Sequence, residues 1–325
     1  MAKVSTTILS LSTIKKYLLS ADLISLIQEG FVSFSSGNAV VPPVGELIFD
    51  NPKGEAHIKY GYIKHQPYYV VKIASGFYGN PKLGIKASQG TMLLFSQQTG
   101  ELLAILLDEG YLTDIRTVIA SMITLKYLAP STVKCVGIIG TGIQAQLQLD
   151  FLDQVCCCQN IMVWGRSKEN AQAFKNKFKD SDFSIEIAST IDQLTEKCNV
   201  IITATPSTQP LLAAHQIKAG THITAIGSDT SEKIELSTKL IEKADVVVSD
   251  SISQSHTRGE VFQARKNNDL DESKLVELGD LIQKPELGRS NENQITVADL
   301  TGVAVQDIMI ATAIFNHHKN LNNEN

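Results

Sequence analysis

At 325 residues the chain is long enough for two domains. Its 43% hydrophobic and 19% charged residues are those of a soluble globular protein, and a net charge of −5 with no basic run argues against a nucleic-acid partner. No apolar run reaches the roughly 18 residues of a membrane span, so no membrane partner is expected. Residues 9–27 are interrupted by Lys15, Lys16 and Asp22 at helical spacing, which does not read as a signal peptide, and the expected compartment is the cytoplasm.

The chain opens with an amphipathic helix expected near residues 11–35. Strand-like runs follow at 39–41, 46–49, 57–60, 68–74, 91–96 and 102–107, with turns at Asn51-Pro52-Lys53-Gly54 and Gln97-Gln98-Thr99-Gly100. This is the pattern of an α+β domain with an antiparallel sheet. A helix at about 112–128 leads to Ala129-Pro130, a natural boundary. From Val133 the rhythm becomes alternating strand and helix, with strands at 135–139, 161–164, 200–204, 222–226 and 246–249, which predicts a doubly wound parallel sheet. Residues 297–318 read as one long helix.

The strongest local signal is Val136-Gly137-Ile138-Ile139-Gly140-Thr141-Gly142-Ile143-Gln144-Ala145. A buried strand enters a tight turn and then a helix, and Gly140, Gly142 and Ala145 fit the dinucleotide pattern G-x-G-x-x-G/A. Gly140 permits the turn, Gly142 lets the backbone approach a pyrophosphate, and Ala145 keeps the helix near its strand. The free N–H groups of the helix start then face the phosphates. The second strand ends in Trp164-Gly165-Arg166-Ser167-Lys168, where an NAD site usually carries Asp or Glu. Arg166, Ser167 and Lys168 suit a 2′-phosphate instead, so NADP(H) is favoured within an NAD(P) assignment.

Other residues carry candidate chemistry. Lys72 sits in the apolar run Tyr69-Val70-Val71-Lys72-Ile73. It is either buried beside an anion, with a lowered pKa suited to proton transfer, or on the solvated face of an alternating strand. Arg116 is a natural carboxylate fork, although a surface arginine paired with Asp114 or Asp108 is the ordinary expectation. Asp229 follows a strand of the parallel sheet, where ligands bind beyond the strand ends, and is either a proton-transfer carboxylate or a turn cap. Thr205, at the end of another strand, should line the same crevice. Of the cysteines 135, 156, 157, 158 and 198, the adjacent run of three lacks metal-site spacing and reads as small buried residues with at most one reactive exposed thiol, so no metal is expected.

These segments resemble the ornithine cyclodeaminase and mu-crystallin family. The matches are Val71-Lys72-Ile73, Leu112-Thr113-Asp114-Ile115-Arg116-Thr117, Ile139-Gly140-Thr141-Gly142-Ile143-Gln144-Ala145, Thr203-Ala204-Thr205-Pro206-Ser207, Gly227-Ser228-Asp229 and Asp299-Leu300-Thr301-Gly302, in family order from about residue 8 to 315. The resemblance implies an α/β fold: a Rossmann-type doubly wound domain over 130–299, plus an α+β substrate and dimerisation domain from 1–129 with 300–325. Homodimers would pair their antiparallel sheets into a closed barrel. Lys72 and Arg116 would hold a substrate carboxylate, with Asp229 and Lys72 as catalytic groups. The cofactor would be held by Thr117, Gly140, Gly142, Ile143, Gln144, Ala145, Arg166, Ser167, Thr205 and Ser228.

The implied activity is hydride transfer at the α-carbon of a small amino or imino acid. One form is conversion of L-ornithine to L-proline plus ammonia. Others are an NADPH-dependent imine reductase, such as a pyrroline-2-carboxylate reductase, or an amino-acid dehydrogenase. A crystallin-like nucleotide binder without turnover is a further class. The chain departs from the family where many members place a carboxylate-binding Arg, near Val44-Gly45, and where cyclodeaminases place a Glu, at Lys59. Lys59 either supplies the missing positive charge or is a surface strand residue.

Overall fold

The computed structural model describes residues 6–18, 21–77 and 79–323. The chain forms two compact units, one built from the chain up to Arg116 together with that from Val303 onward, the other from Thr117–Gly302.

The first unit begins with β1 (Thr7–Ser10), α1 (Leu11–Leu18) and α2 (Leu23–Ser35). The expected single helix over 11–35 is therefore two. Asp22 explains the restart, because its carboxylate accepts the Ser25 N–H at 3.1 Å as an N-cap. Then come β2 (Ala39–Val40), β3 (Gly45–Asp50), β4 (Lys53–Ile63), β5 (Tyr68–Gly76), β6 (Ser88–Ser96) and β7 (Leu102–Leu107), with α3 (Tyr111–Leu128) carrying the chain into the second unit. Among the described residues the sheet has seven strands in the order β1-β7-β6-β5-β4-β2, with β3 also on β4. It is antiparallel except for β1, which runs parallel to β7.

Alternation gives this sheet two unlike faces. Met92, Leu94, Ala104, Leu106 and Val70 are buried on the inner face, and the C-terminal helix Ala304–Asn323 packs against β4, β5 and β6 of this sheet. The same helix closes on α2, where a Cβ at Gly30 would meet Met309 Cγ at 2.7 Å. The opposite face is apolar too, yet open. Tyr60, Val71, Leu93, Ile105 and Ile8 lie in one cross-strand row, and Ile8 is 64% exposed.

The second unit runs β8 (Val136–Ile139), α4 (Ile143–Leu152), β9 (Asn160–Trp164), α5 (Lys168–Lys177), β10 (Ser184–Ile187), α6 (Ile191–Lys197), β11 (Val200–Thr203), β12 (Thr208–Leu212), β13 (His222–Ala225), β14 (Ile234–Leu236), α7 (Thr238–Lys243), β15 (Val246–Ser249), α8 (Glu260–Lys266), β16 (Leu275–Glu277), α9 (Leu278–Gln283) and β17 (Thr296–Asp299). Eight strands form a parallel sheet in the order β10-β9-β8-β11-β13-β17-β15-β16 among the described residues. The order reverses between β8 and β11, the position where such sheets open a crevice. Strands β8, β11, β13, β15 and β17 are buried along their whole length, as a sheet covered on both sides requires.

Residues 297–299 are strand rather than the start of the expected helix. The four-residue strand β17 pairs with both β13 and β15, and the helix starts only at Ala304. Of the three adjacent cysteines one is exposed, within the expected limit of a single exposed thiol. Cys157 is exposed, and Cys156 and Cys158 are half-buried, in a non-helical stretch after α4. No single helix among the described residues is long and apolar enough to cross a membrane.

Candidate functional site

In the second unit, Gly140, Thr141, Gly142, Trp164, Gly165, Arg166, Ser167, Asn170, Ala204, Thr205, Pro206, Ser207 and Leu211 line an open cleft of about 330 Å³. Gly140 has φ +129°, and a Cβ there would lie 2.6 Å from the Ala204 carbonyl oxygen, so only glycine fits this turn. Gly142 caps α4, and a Cβ there would meet nothing within 4 Å. The helix start thus faces open space, as backbone approach by a pyrophosphate demands. Ala145 is fully buried and packs α4 close to its strand.

Arg166 is exposed at the cleft edge, and no hydrogen bond or ion pair engages its guanidinium among the described residues. Ser167 is the N-cap of α5, accepting from Asn170 N at 3.2 Å and donating to Glu169 at 2.6 Å. Thr117, Ile143, Gln144, Ala145 and Ser228 do not line this cleft. Ser228 is buried, its hydroxyl donating to the Lys233 carbonyl at 2.5 Å.

Asp229 lies four residues beyond β13, and its carboxylate is 2.8 Å from Lys233 Nζ. The Asp229 side chain is 38% exposed and that of Lys233 12% exposed, so the anion is accessible while the ammonium is largely covered. Arg258 donates to the Asp229 carbonyl at 3.2 Å and fixes the backbone.

Beneath these loops lie further buried carboxylates, of which only Asp299 belongs to a matched segment. Glu235 on β14 is wholly buried and accepts from Thr203, Thr205 and Gly227. Burial pushes its pKa up to about 7 against the pull of these bonds. Glu260 accepts the N–H groups of Glu235 and Leu236, at 2.7 and 3.2 Å, and Asp299 accepts that of Val261 at 2.9 Å. Burial raises both acids, Asp299 to about 7. For Glu235 the only sequence signal was an acidic residue within an apolar segment, Ile234-Glu235-Leu236.

The first unit holds a cationic cluster. Lys72 is buried rather than on a solvated face, and its Nζ lies 3.0 and 3.1 Å from the two oxygens of Asp307. Burial, then the charge of Arg116, lowers the Lys72 pKa to about 8 against the opposing pull of Asp307. Arg116 is likewise buried, and its partners are neither Asp114 nor a surface pair. Its Nε is 3.4 Å from Asp307, and its Nη1 donates to Gln306 Oε1 at 2.9 Å. Gln306 returns the contact, donating Nε2–H to the Arg116 carbonyl at 3.0 Å. Asp108 caps α3 by accepting Leu112 N–H at 2.9 Å, and burial raises its pKa. Lys59 is 6% exposed, on the buried face and directly opposite Lys72 across the β4–β5 pair, so it is not a surface residue. No group of three or more metal-ligating side chains occurs among the described residues.

The family model of the ornithine cyclodeaminase/mu-crystallin family matches residues 4–322. A Sinorhizobium fredii protein described as an uncharacterised cyclodeaminase is 37% identical over 91% of both chains. Among solved structures, an archaeal alanine dehydrogenase dimer with bound NAD superposes with TM-score 0.89 at 28% identity, covering 98% of this chain and 97% of the other. A Thermococcus litoralis Δ1-pyrroline-2-carboxylate reductase in complex with NADH and L-proline gives TM-score 0.90 at 26% identity over 98% of each. The chain belongs to the ornithine cyclodeaminase/mu-crystallin family.

Proposed function

We propose that this chain is an NAD(P)-dependent enzyme that reduces the imine of a small α-imino acid to the corresponding amino acid. The observation that carries this reading is the buried cationic row. Lys59 stands opposite Lys72, with Arg116 sharing the Asp307 carboxylate with Lys72. Such a cluster suits a substrate carboxylate. A second cation at Lys59, where cyclodeaminases have Glu, disfavours the side-chain ammonium of a diamino acid.

In this reading Lys72 and Arg116 bind the carboxylate and fix the substrate's orientation, while Asp307 holds both cations in place. Asp229 stands as hydrogen-bond partner of the protonated substrate nitrogen, and Lys233, 2.8 Å from its carboxylate, holds it in place. Gly140, Gly142 and the start of α4 receive the pyrophosphate. The bound nicotinamide supplies the hydride at the α-carbon. Arg166 supports NADP(H), through a 2′-phosphate contact. The open apolar sheet face of Tyr60, Leu93, Ile105 and Ile8 supports a homodimer sealed over that face.

A second reading is a cyclodeaminase turning L-ornithine into L-proline. It is favoured by the 37% identity to the relative described as a cyclodeaminase. The carboxylate clamp is tested by offering pyrroline-2-carboxylate and its carboxamide with NADPH. Turnover of the acid alone is expected, and equal turnover of both would remove the assigned role of Lys72 and Arg116.

A further inference from the structure

Four donors converge on the buried carboxylate of Glu235. Its Oε1 accepts from the N–H and the hydroxyl of Thr205, both at 2.7 Å. Its Oε2 accepts from the Thr203 hydroxyl and the Gly227 N–H, both at 2.8 Å. Each oxygen therefore takes one backbone N–H and one hydroxyl. One carboxylate thus joins the segments that leave β11 and β13. These segments also touch directly, since a Cβ on Gly227 would lie 2.1 Å from the Thr205 carbonyl oxygen.

Both segments border candidate chemistry. Thr205 leads into Pro206 and Ser207, which line the cleft, and Gly227 leads into Ser228 and Asp229. A doubly wound sheet gives each half of a dinucleotide to one half of its strands. Arg166, after β9, marks the adenosine half. The ends of β11 and β13, across the switch point, then serve the nicotinamide half. Glu260 holds the brace in turn, accepting the N–H groups of Glu235 and Leu236.

We propose that Glu235 is a positioning residue whose carboxylate locks the Thr203–Thr205 and Gly227 segments into the shape that receives the nicotinamide half of the cofactor. Its chemistry is specific to a carboxylate. Both oxygens must accept from a backbone N–H, which cannot turn away. Glutamine has the same shape but offers one acceptor oxygen, and its NH₂ meets an N–H head-on at either loop. The proposal rests on the assignment of the cleft to a dinucleotide.

The test compares two probes, NADPH and adenosine 5′-monophosphate, on wild-type protein, Glu235→Gln and the milder Thr203→Val. Dissociation constants and the unfolding midpoint are measured for each. Glu235→Gln is expected to weaken NADPH binding about tenfold or more while AMP stays within about twofold, because only one half of the site is disturbed. Thr203→Val, which removes one of the four bonds, should show a few-fold loss with the same selectivity, and it decides the matter if Glu235→Gln does not fold. Unchanged NADPH affinity in a folded variant overturns the proposal. So does a parallel loss of NADPH, AMP and thermal stability, which marks a structural brace alone. Failure of the dinucleotide assignment would appear instead in the wild type, as absence of NADPH and NADH binding, and would overturn the proposal with it.

Discussion

Lys59 and Lys72 face each other across neighbouring antiparallel strands, and both side chains are buried on the same face of the sheet. Directly opposed like charges destabilise a strand pair. Asp307, on the C-terminal helix, lies against Lys72 and draws in Arg116. The arrangement places cationic charge where water cannot screen it, a poor choice for stability alone and a good one for holding an anionic substrate.

The Asp307 carboxylate is the counter-ion of two buried cations. Asp307→Asn should cost about 3–5 kcal/mol of folding stability, the scale of a buried pair broken on one side. Denaturant unfolding with unchanged slope measures this, and a loss below about 1 kcal/mol would show that the cations find other partners.

On the proposed assignment, Lys72 should tie substrate affinity to pH. Its pKa in the folded protein is about 8, below the ordinary 10.5, so the ammonium that attracts a carboxylate is present below pH 8 and lost above it. The KM for pyrroline-2-carboxylate should therefore rise as pH increases through about 8. The stability effect has the opposite sign. The buried cation is an unfavourable load below pH 8, relieved as pH rises toward 10.5. A KM that is flat from pH 7 to 9.5 would contradict the assignment of Lys72 to the carboxylate.

Arg166 should set cofactor preference. Arg166→Ala is expected to weaken NADPH binding about tenfold or more with little change for NADH, since only the former carries a 2′-phosphate. Fluorescence titration of both cofactors reads the difference, and equal losses would assign Arg166 to a part common to the two.

Asp229→Asn keeps the shape of the side chain and removes its basicity. The expected result is a fall in kcat of roughly 10²-fold or more, with NADPH affinity and unfolding midpoint near those of the wild type. Near-normal kcat in Asp229→Asn would reduce Asp229 to a turn residue.

Much of this was legible in the chain because it is written in local chemistry. The Gly140–Ala145 turn needs glycines at fixed positions, and the five strands expected in the parallel sheet are continuous apolar runs, so both show in a short window of sequence. What stayed hidden depends on distant partners. Lys72 fits alternation as well as burial until Asp307, 235 residues away, is placed beside it. Arg116 has nearby acids at Asp108 and Asp114, yet it pairs with residues of the C-terminal helix. The α1–α2 break is small, resting on Asp22 as a cap inside an otherwise helical pattern. β17 was missed because Val297 and Ala298, between Thr296 and Asp299, read as the start of the long C-terminal helical pattern. Thr296-Val297-Ala298-Asp299 holds only two apolar residues, and so short a segment does not distinguish strand from helix without its sheet neighbours. Glu235 matched no motif, because its role lies in the donors around it.

Stoichiometry decides whether the buried cations of Lys59, Lys72 and Arg116 serve a net imine reduction. Purified protein is given pyrroline-2-carboxylate with NADPH, and separately L-ornithine with NAD⁺ or NADP⁺, while proline and cofactor are both quantified. Imine reduction predicts proline formed in equal amount to the NADPH consumed in the first mixture, and no proline in the second. Proline arising from ornithine with no net change in cofactor would contradict the account and establish a cyclodeaminase.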